Sequence, residues 1–136
     1  MKIGITGTRE GMNEHQARRV RRILTLVIEK GPAEFHHGDC QGVDVEAAAI
    51  ARELGFRIVC HPPSSDNLRG FFPSDESRRP LGYLQRDRNI VDDTHLLIVV
   101  PLHDKWQPKG GTWYTHDYAE KQLKPIVIVY PKNGMK

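Results

Sequence analysis

Segments typical of strands alternate with segments typical of helices along this chain of 136 residues. Short apolar runs predict strands. Between two of these runs, apolar residues recur at helical spacing, as at Val43, Ala47, Ile50 and Leu54. The predicted order is β-α-β-α-β-loop-α-β-α-β, and helical crossovers of this kind make the strands parallel and cover both faces of the sheet. The sequence therefore predicts an α/β fold with a doubly wound, five-stranded parallel sheet in three layers, α/β/α.

The ends of the predicted helices carry recognisable capping residues. Asn13 and Gln16 are spaced as a capping box at the start of the first helix, and Gly55 supplies a left-handed stop for the second. The third helix is predicted at 82–92 and the fourth at 112–123. The predicted strands cover residues 2–6, 34–37, 56–60, 95–100 and 126–130.

Length and composition predict one globular domain over residues 1–136, too short for two. Hydrophobic residues make up 38% and charged residues 27% of the chain, which is typical of globular proteins. No apolar run approaches the roughly 20 residues of a membrane helix, and no signal peptide precedes the first strand. We therefore predict a cytoplasmic protein with no membrane partner and with two reduced cysteines, Cys40 and Cys60.

Residues 62–81 show no clear periodicity and are rich in Pro, Ser, Asp and Arg. Such a long irregular stretch in a small domain is typical of a lid or a disordered segment. Phe71 and Phe72 favour the lid, because disordered segments are usually poor in aromatic residues.

Ligands of doubly wound sheets bind beyond the carboxyl ends of the strands, so the loops there contain the candidate site residues. The first of these loops contains Gly7, Thr8 and Arg9, which offer backbone N–H groups, a hydroxyl and a cation beside a helix start. This pattern indicates an anion site. It matches neither the dinucleotide fingerprint nor the Walker loop, so no cofactor is predicted.

The second loop places Gly38, Asp39, Gly42 and Asp44 between a strand and a helix. Asp39 is either a helix cap or a functional residue, which accepts hydrogen bonds from ribose hydroxyls or acts as a general base. Asp44 either interacts with the helix dipole or takes part in the site.

Two further groups of polar residues have open roles. Arg86 and Asn89 lie three apart on one face of the third helix, which suits a ligand site and a surface network equally. A group of histidines and cysteines near the strand ends matches no standard zinc spacing, so no metal is predicted. Its members are His36, His37, Cys40, Cys60 and His61.

The stretch Gly110-Gly111-Thr112 precedes the fourth helix. Glycines without Cβ atoms, free N–H groups and a hydroxyl at the positive end of a helix would hold a phosphate. The alternative is a glycine turn with Thr112 as the N-cap.

Together these motifs resemble the SLOG superfamily. It groups the Rossmann-like domain of the DNA-processing protein DprA (Smf) with the LOG phosphoribohydrolases. The sequence is most similar to the small standalone YspA/YpsA-related branch. The motifs that carry this resemblance are GITGTRE at 4–10, HGDCQGVDVEAAAIARELG at 37–55, HPP at 61–63, YLQRDRNIVDD at 83–93 and GGTWYTHDYAEKQLKPIVIV at 110–129.

The resemblance implies a Rossmann-like sheet that binds nucleotides or nucleotide-derived ligands. It implies that Thr115 belongs to the phosphate loop with Gly110, Gly111 and Thr112. Arg86 and Asn89 correspond to an Arg-Asn element of the family, although the Arg-Asp-Arg-Asn sequence leaves the choice between Arg86 and Arg88 open.

The chain departs from the LOG hydrolase pattern GGxGTxxE. Trp113 and Tyr114 stand at the Gly and Thr positions of that pattern, and Asp117 stands at the Glu position. GTWYT is more similar to the DprA pattern. The catalytic residue therefore stays unknown, with Asp39, Glu10 and Asp117 as the candidates.

From these observations we predict a binding module for a nucleotide-type small molecule, acting as a sensor or a sequestering protein. The alternatives are a LOG-type enzyme that cleaves the N-glycosidic bond of a nucleotide, and DprA-like binding of single-stranded DNA. Relatives often dimerise, so a homodimer is an open alternative to the monomer.

Overall fold

The computed structural model describes residues 1–132, in which four helices cover the two faces of one parallel sheet. The strands are β1 (Lys2–Gly7), β2 (Glu34–His37), β3 (Arg57–Cys60), β4 (Glu76–Ser77), β5 (Leu96–Val100) and β6 (Ile126–Ile128). The helices are α1 (Glu14–Ile28), α2 (Val43–Leu54), α3 (Tyr83–Asp92) and α4 (Gly111–Lys121). The strand order is β4-β3-β2-β1-β5-β6. The predicted doubly wound, Rossmann-like α/β/α fold is therefore confirmed.

The predicted count of five strands is wrong by one. The additional strand, β4, has two residues and pairs with the end of β3, with Val59 opposite Glu76 and Cys60 opposite Ser77. It lies inside the stretch 62–81, where a two-residue strand is too short to show any periodicity.

The predicted helix ends agree with the structure where capping residues define them. Asn13 accepts the backbone N–H of Gln16 at 2.8 Å, and the Gln16 side chain accepts the backbone N–H of Asn13 at 3.1 Å. This is the capping box of α1. Gly55 ends α2 with a φ of 97°, which a residue with a Cβ rarely adopts.

The core consists of two apolar layers, one on each face of the sheet. In β5, Ile98 and Val100 pack in the layer beneath α1 and α2, while Leu97 and Val99 pack in the layer beneath α3 and α4. Successive residues of a strand point to opposite faces, so the apolar run at 96–100 is buried on both sides.

The strand order reverses direction beside β1. The chain passes from β1 outward to β2 and β3, and it returns to place β5 on the other side of β1. A crevice opens at the carboxyl ends of such strands. No helix among residues 1–132 combines the length and the apolar character needed to cross a membrane.

Candidate functional site

A cleft of about 940 Å³ lies beyond the carboxyl end of β1, between the loop that follows β1, the start of α3 and the segment that leads into α4. This volume lies near the upper end of the range for small-molecule sites, roughly 300–1,000 Å³. Ten of the residues predicted from sequence line it. They are Gly7, Thr8, Arg9, Glu10, Asp44, Arg86, Gly110, Gly111, Thr112 and Asp117.

Other predicted site residues lie behind the cleft wall. Gly42, with a φ of 89°, packs on the backbone of Arg9, where a Cβ would lie 2.5 Å from the carbonyl oxygen. The hydroxyl of Thr115 donates to the Gly111 carbonyl at 2.7 Å and is buried. Asn89 lines a separate cavity of about 180 Å³, on the other side of Arg86.

The N-terminus of α4 opens into the cleft. The helix begins at Gly111, and its N-cap is Gly110, with a φ of 106° and no side-chain capping bond. Thr112 therefore lies in the first turn, and the alternative that made Thr112 the N-cap is wrong. The first N–H groups of a helix have no partner within the helix. With no side chain to cap them, those of α4 are available to an anion in the cleft.

The loop after β1 forms another part of the cleft wall. The backbone N–H of Thr8 donates to the carbonyl of Val100 at 3.1 Å, which joins this loop to the end of β5. The Thr8 hydroxyl accepts the backbone N–H of Glu10 at 3.1 Å. Arg9 and Glu10 are exposed at the cleft edge, where their side chains can reach a ligand.

Arg86 is buried at the floor of the cleft and is bonded on several sides. Its guanidinium donates to Asp87 at 2.7 Å, to the carbonyl of His61 at 3.3 Å and to the carbonyl of Gly38. Burial opposes its charge, but Asp87 and the other anionic groups nearby raise its pKa. Of the two arginines left open by the sequence, Arg86 lines the cleft, whereas Arg88 does not.

Two buried carboxyl groups flank Arg86 at the cleft floor. Burial raises the pKa of Asp44 to about 6, although Arg86 and the N–H groups of Gly38 and Cys40 oppose this shift. Burial also raises the pKa of Asp87, against the opposing effect of Arg86. Raised carboxyl pKa values in a cleft are typical of functional sites. Sequence reasoning missed Asp87, although it adjoins Arg86 in the motif QRDRN.

Asp39 does not line the cleft. Its buried carboxylate accepts hydrogen bonds from the guanidinium of Arg69 at 2.7 Å and from the backbone N–H groups of Phe71 and Phe72 at 3.1 and 2.8 Å. These bonds hold the middle of the stretch 62–81 against the second loop. Asn67 and Leu68 of the same stretch line the cleft.

Sequence reasoning also missed a group of exposed apolar side chains at the mouth of the cleft. They share no sequence pattern, because they come from three separate segments that only the fold brings together. They are Leu68, Tyr83, Leu84, Leu102 and Trp106. A ligand with an apolar or aromatic part fits this edge better than a purely polar one.

The group of histidines near the strand ends forms a buried hydrogen-bonded chain. Nδ1 of His36 lies 2.8 Å from Nε2 of His61, and Nε2 of His36 lies 2.9 Å from a carboxylate oxygen of Glu34. Ligand atoms of His36, His61 and Asp93 lie within 4.8 Å of one another. Arg78 bonds to Asp93 at 2.8 Å. Burial lowers the pKa of His61 to about 3, and the neighbouring His36 and the charge of Arg78 contribute to this shift. This cation disfavours a metal ion.

The charges that line the cleft are mixed. The basic side chains are Arg9, Arg86 and Lys109, and the acidic ones are Glu10, Asp44, Asp87 and Asp117. The cleft therefore has no excess of basic groups, and the attraction for an anion comes from the α4 N-terminus and the exposed cations. A groove that follows a nucleic acid strand is usually positively charged along its length.

No protein-family model matches this sequence, and the comparison with curated proteins found no match. Several solved structures, however, have a similar fold. The molybdenum cofactor binding protein from the phototrophic bacterium Rippkaea orientalis is similar, with a TM-score of 0.73 and 19% identity over 96% of this chain and 77% of that one. DprA from Streptococcus pneumoniae has a TM-score of 0.69 and 17% identity over 99% of this chain and 52% of that one. This chain has the same Rossmann-like α/β fold as these proteins.

A further similar structure is the molybdenum cofactor carrier protein of Chlamydomonas reinhardtii. It has a TM-score of 0.66 and 22% identity over 93% of this chain and 74% of that one. The resemblance to the SLOG superfamily is thus confirmed at the level of the fold. One fold hosts many functions, so the ligand has to be argued from the cleft itself.

Proposed function

We propose that this chain binds a nucleotide or a nucleotide-derived ligand, with the ligand phosphate at the N-terminus of α4. The observation that carries the proposal is the helix start at Gly111, which has no capping side chain and opens into a cleft of about 940 Å³. Backbone N–H groups and the helix dipole together favour a phosphate there. A cytoplasmic sensor or sequestering protein is the role that we propose for it.

Two further features support this proposal. Thr112 and the exposed Arg9 both line the cleft, where the hydroxyl and the guanidinium can each add a bond to a phosphate or sugar. The proteins of similar fold include carriers or binders of the molybdenum cofactor and a DprA described by its single-stranded DNA binding. Both kinds of ligand contain phosphate.

Mass spectrometry of the small molecules released from the purified protein tests this proposal directly. We expect an intact phosphate-containing nucleotide or a derivative of one. The double variant Arg9→Ala with Thr112→Val should lower the affinity for that molecule by about tenfold, which is about 1.4 kcal/mol. Arg22→Ala, an exposed arginine on α1, is the matched control. Unchanged affinity of the double variant would show that the ligand lies elsewhere.

Hydrolysis of the N-glycosidic bond is the second candidate, and the pair of buried carboxyl groups favours it. Asp87 and Asp44 line the cleft, and burial raises the pKa of both carboxyl groups, which brings them closer to the pH range in which a general acid works. Chromatography of nucleoside monophosphates incubated with the protein would detect the free base. Asp87→Asn should abolish that release, and nucleotides that stay intact with the unmodified protein exclude this function.

Single-stranded DNA is the less favoured ligand, because acidic side chains outnumber basic ones along the cleft. If the protein shifts the mobility of a labelled single-stranded oligonucleotide in a salt-dependent manner, single-stranded DNA becomes the favoured ligand.

A further inference from the structure

The indole of Trp106 lies at the mouth of the cleft, with its N–H edge hydrogen-bonded and about half of the residue exposed. Its side chain is 53% exposed, although it is a large aromatic group. The indole N–H donates to both carboxylate oxygens of Asp117, at 3.1 and 3.3 Å. No aromatic ring or guanidinium within residues 1–132 stacks on the indole.

Asp117 is bonded in a way that suits a positioning residue. Its carboxylate accepts from the Trp106 indole, and it also pairs with Nδ1 of His116 at 2.9 Å. A carboxylate that holds two neighbouring side chains fixes their orientation. Asp117 is one of the three acidic residues that the sequence named as catalytic candidates, and these contacts give it a different role.

Trp106 contacts α4 through Asp117, in the second turn of the helix. Asp117 lies six residues beyond Gly111, so it is about 9 Å along the helix axis from the proposed phosphate position. A ring that stacks on Trp106 while its phosphate contacts the start of α4 would belong to a single nucleotide unit.

We propose that Trp106 is the stacking platform for the planar heteroaromatic ring of the ligand, and that Asp117 holds the indole in the stacking orientation. This inference rests on the proposed function. Stacking on an aromatic side chain tolerates any planar base, because every base has a π face. The ligand class is therefore a mononucleotide, or a nucleotide-derived molecule with one fused heterocycle, in which the ring adds affinity that the sugar phosphate lacks.

The test compares two probes by calorimetry: the set of four ribonucleoside monophosphates, and ribose 5-phosphate. Trp106→Ala should weaken the binding of the nucleotides by about fivefold or more. It should leave the affinity for ribose 5-phosphate within about twofold, because only the ring stacks on the indole. Trp106→Phe should retain most of the nucleotide affinity. Leu26→Ala, an exposed apolar residue of α1 outside the cleft, is the control.

Variants of Asp117 test the positioning role. Asp117→Asn keeps an oxygen that accepts the indole N–H and should stay close to the unmodified protein. Asp117→Ala should lose nucleotide affinity but not ribose 5-phosphate affinity. Equal affinities of Trp106→Ala and the unmodified protein for every nucleotide would overturn the inference and leave the proposed function standing. Failure of all the probes to bind would overturn both.

Discussion

A glycine beside Arg86 shows how one missing side chain shapes the cleft floor. The backbone of Gly38 lies against the guanidinium of Arg86, and a Cβ at that position would come within 2.7 Å of the central carbon of that group. Arg86 is buried and bonded to Asp87 and to two carbonyls, so it cannot move aside without loss of those bonds.

We therefore expect Gly38→Ala to lower the free energy of unfolding by about 2 kcal/mol, through overpacking and the displaced ion pair. Gly82→Ala is the matched control, because a Cβ at Gly82 meets nothing within 4 Å and its φ of −59° is ordinary. Urea denaturation of the two variants measures the difference. Equal stability of Gly38→Ala and the control would show that Arg86 adapts without cost.

Asp39 is the residue whose surroundings differ most from its predicted role as a ligand or a base. It has a φ of 57°, which Asp tolerates better than most residues, and its carboxylate collects three donors from the stretch 62–81. Removal of a buried acceptor leaves its donors unsatisfied.

Asp39→Ala should therefore destabilise the protein by about 3 kcal/mol, and Asp39→Asn by less, because the amide keeps one acceptor. Asp66→Ala serves as the control. Asp66 also pairs with Arg69, at 3.6 Å, but its side chain is exposed and such pairs contribute little. Thermal unfolding would rank the three variants, and similar midpoints for Asp39→Ala and Asp66→Ala would refute this role of Asp39.

At the scale of elements, α4 carries the proposed phosphate site at its first turn. A carboxylate in that turn would complement the helix dipole and at the same time repel a phosphate. Stability and binding should therefore respond in opposite directions to the same substitution.

Thr112→Asp should leave the free energy of unfolding unchanged or raise it by about 0.5 kcal/mol. It should also reduce nucleotide affinity by more than Thr112→Val, which removes only the hydroxyl. Calorimetry and urea denaturation on the same samples separate the two effects. Unchanged nucleotide binding by Thr112→Asp would place the phosphate away from α4.

The stretch 62–81 is the element that the sequence described least well. It contains β4 and the contacts to Asp39, so it is built into one end of the sheet. Residues 67–68 reach the cleft from it. Closure of this stretch over a ligand stays a prediction.

At the scale of the whole molecule, buried histidines link folding to pH. Burial lowers the pKa of His37 to about 4 and that of His61 to about 3, so both stay neutral in the folded protein. The unfolded chain takes up these protons below about pH 6.5, and stability is lost as the pH falls from there toward the folded values. Asp44, with its pKa raised to about 6, shifts stability in the opposite direction.

Between pH 7 and pH 5 the two histidines should cost about 2 kcal/mol each, and Asp44 should offset about 1 kcal/mol. We therefore expect a net loss of about 3 kcal/mol, measured by urea denaturation at both values. His61→Gln should reduce the loss of stability between pH 7 and pH 5, whereas substitution of the exposed His103 by Gln should preserve it. If the loss is unchanged in His61→Gln, His61 does not contribute to the pH dependence of stability.

The sequence by itself determined the parallel doubly wound sheet, the capping of α1 and α2, and the loops that would form the cleft. These features depend on local patterns: short apolar runs for strands, period 3.6 for helices, and glycine where φ is positive. Such patterns lie within a few neighbouring residues, so they can be recognised without the fold.

Only the tertiary structure decided which polar groups are available to a ligand. Asp39 meets Arg69, which is 30 residues away in sequence, and Arg86 meets the Gly38 carbonyl from 48 residues away. Asp87 and Trp106 enter the candidate site because α3 and the segment before α4 converge at the carboxyl end of β1. Buried polar groups must find partners, and packing selects those partners from any distance along the chain.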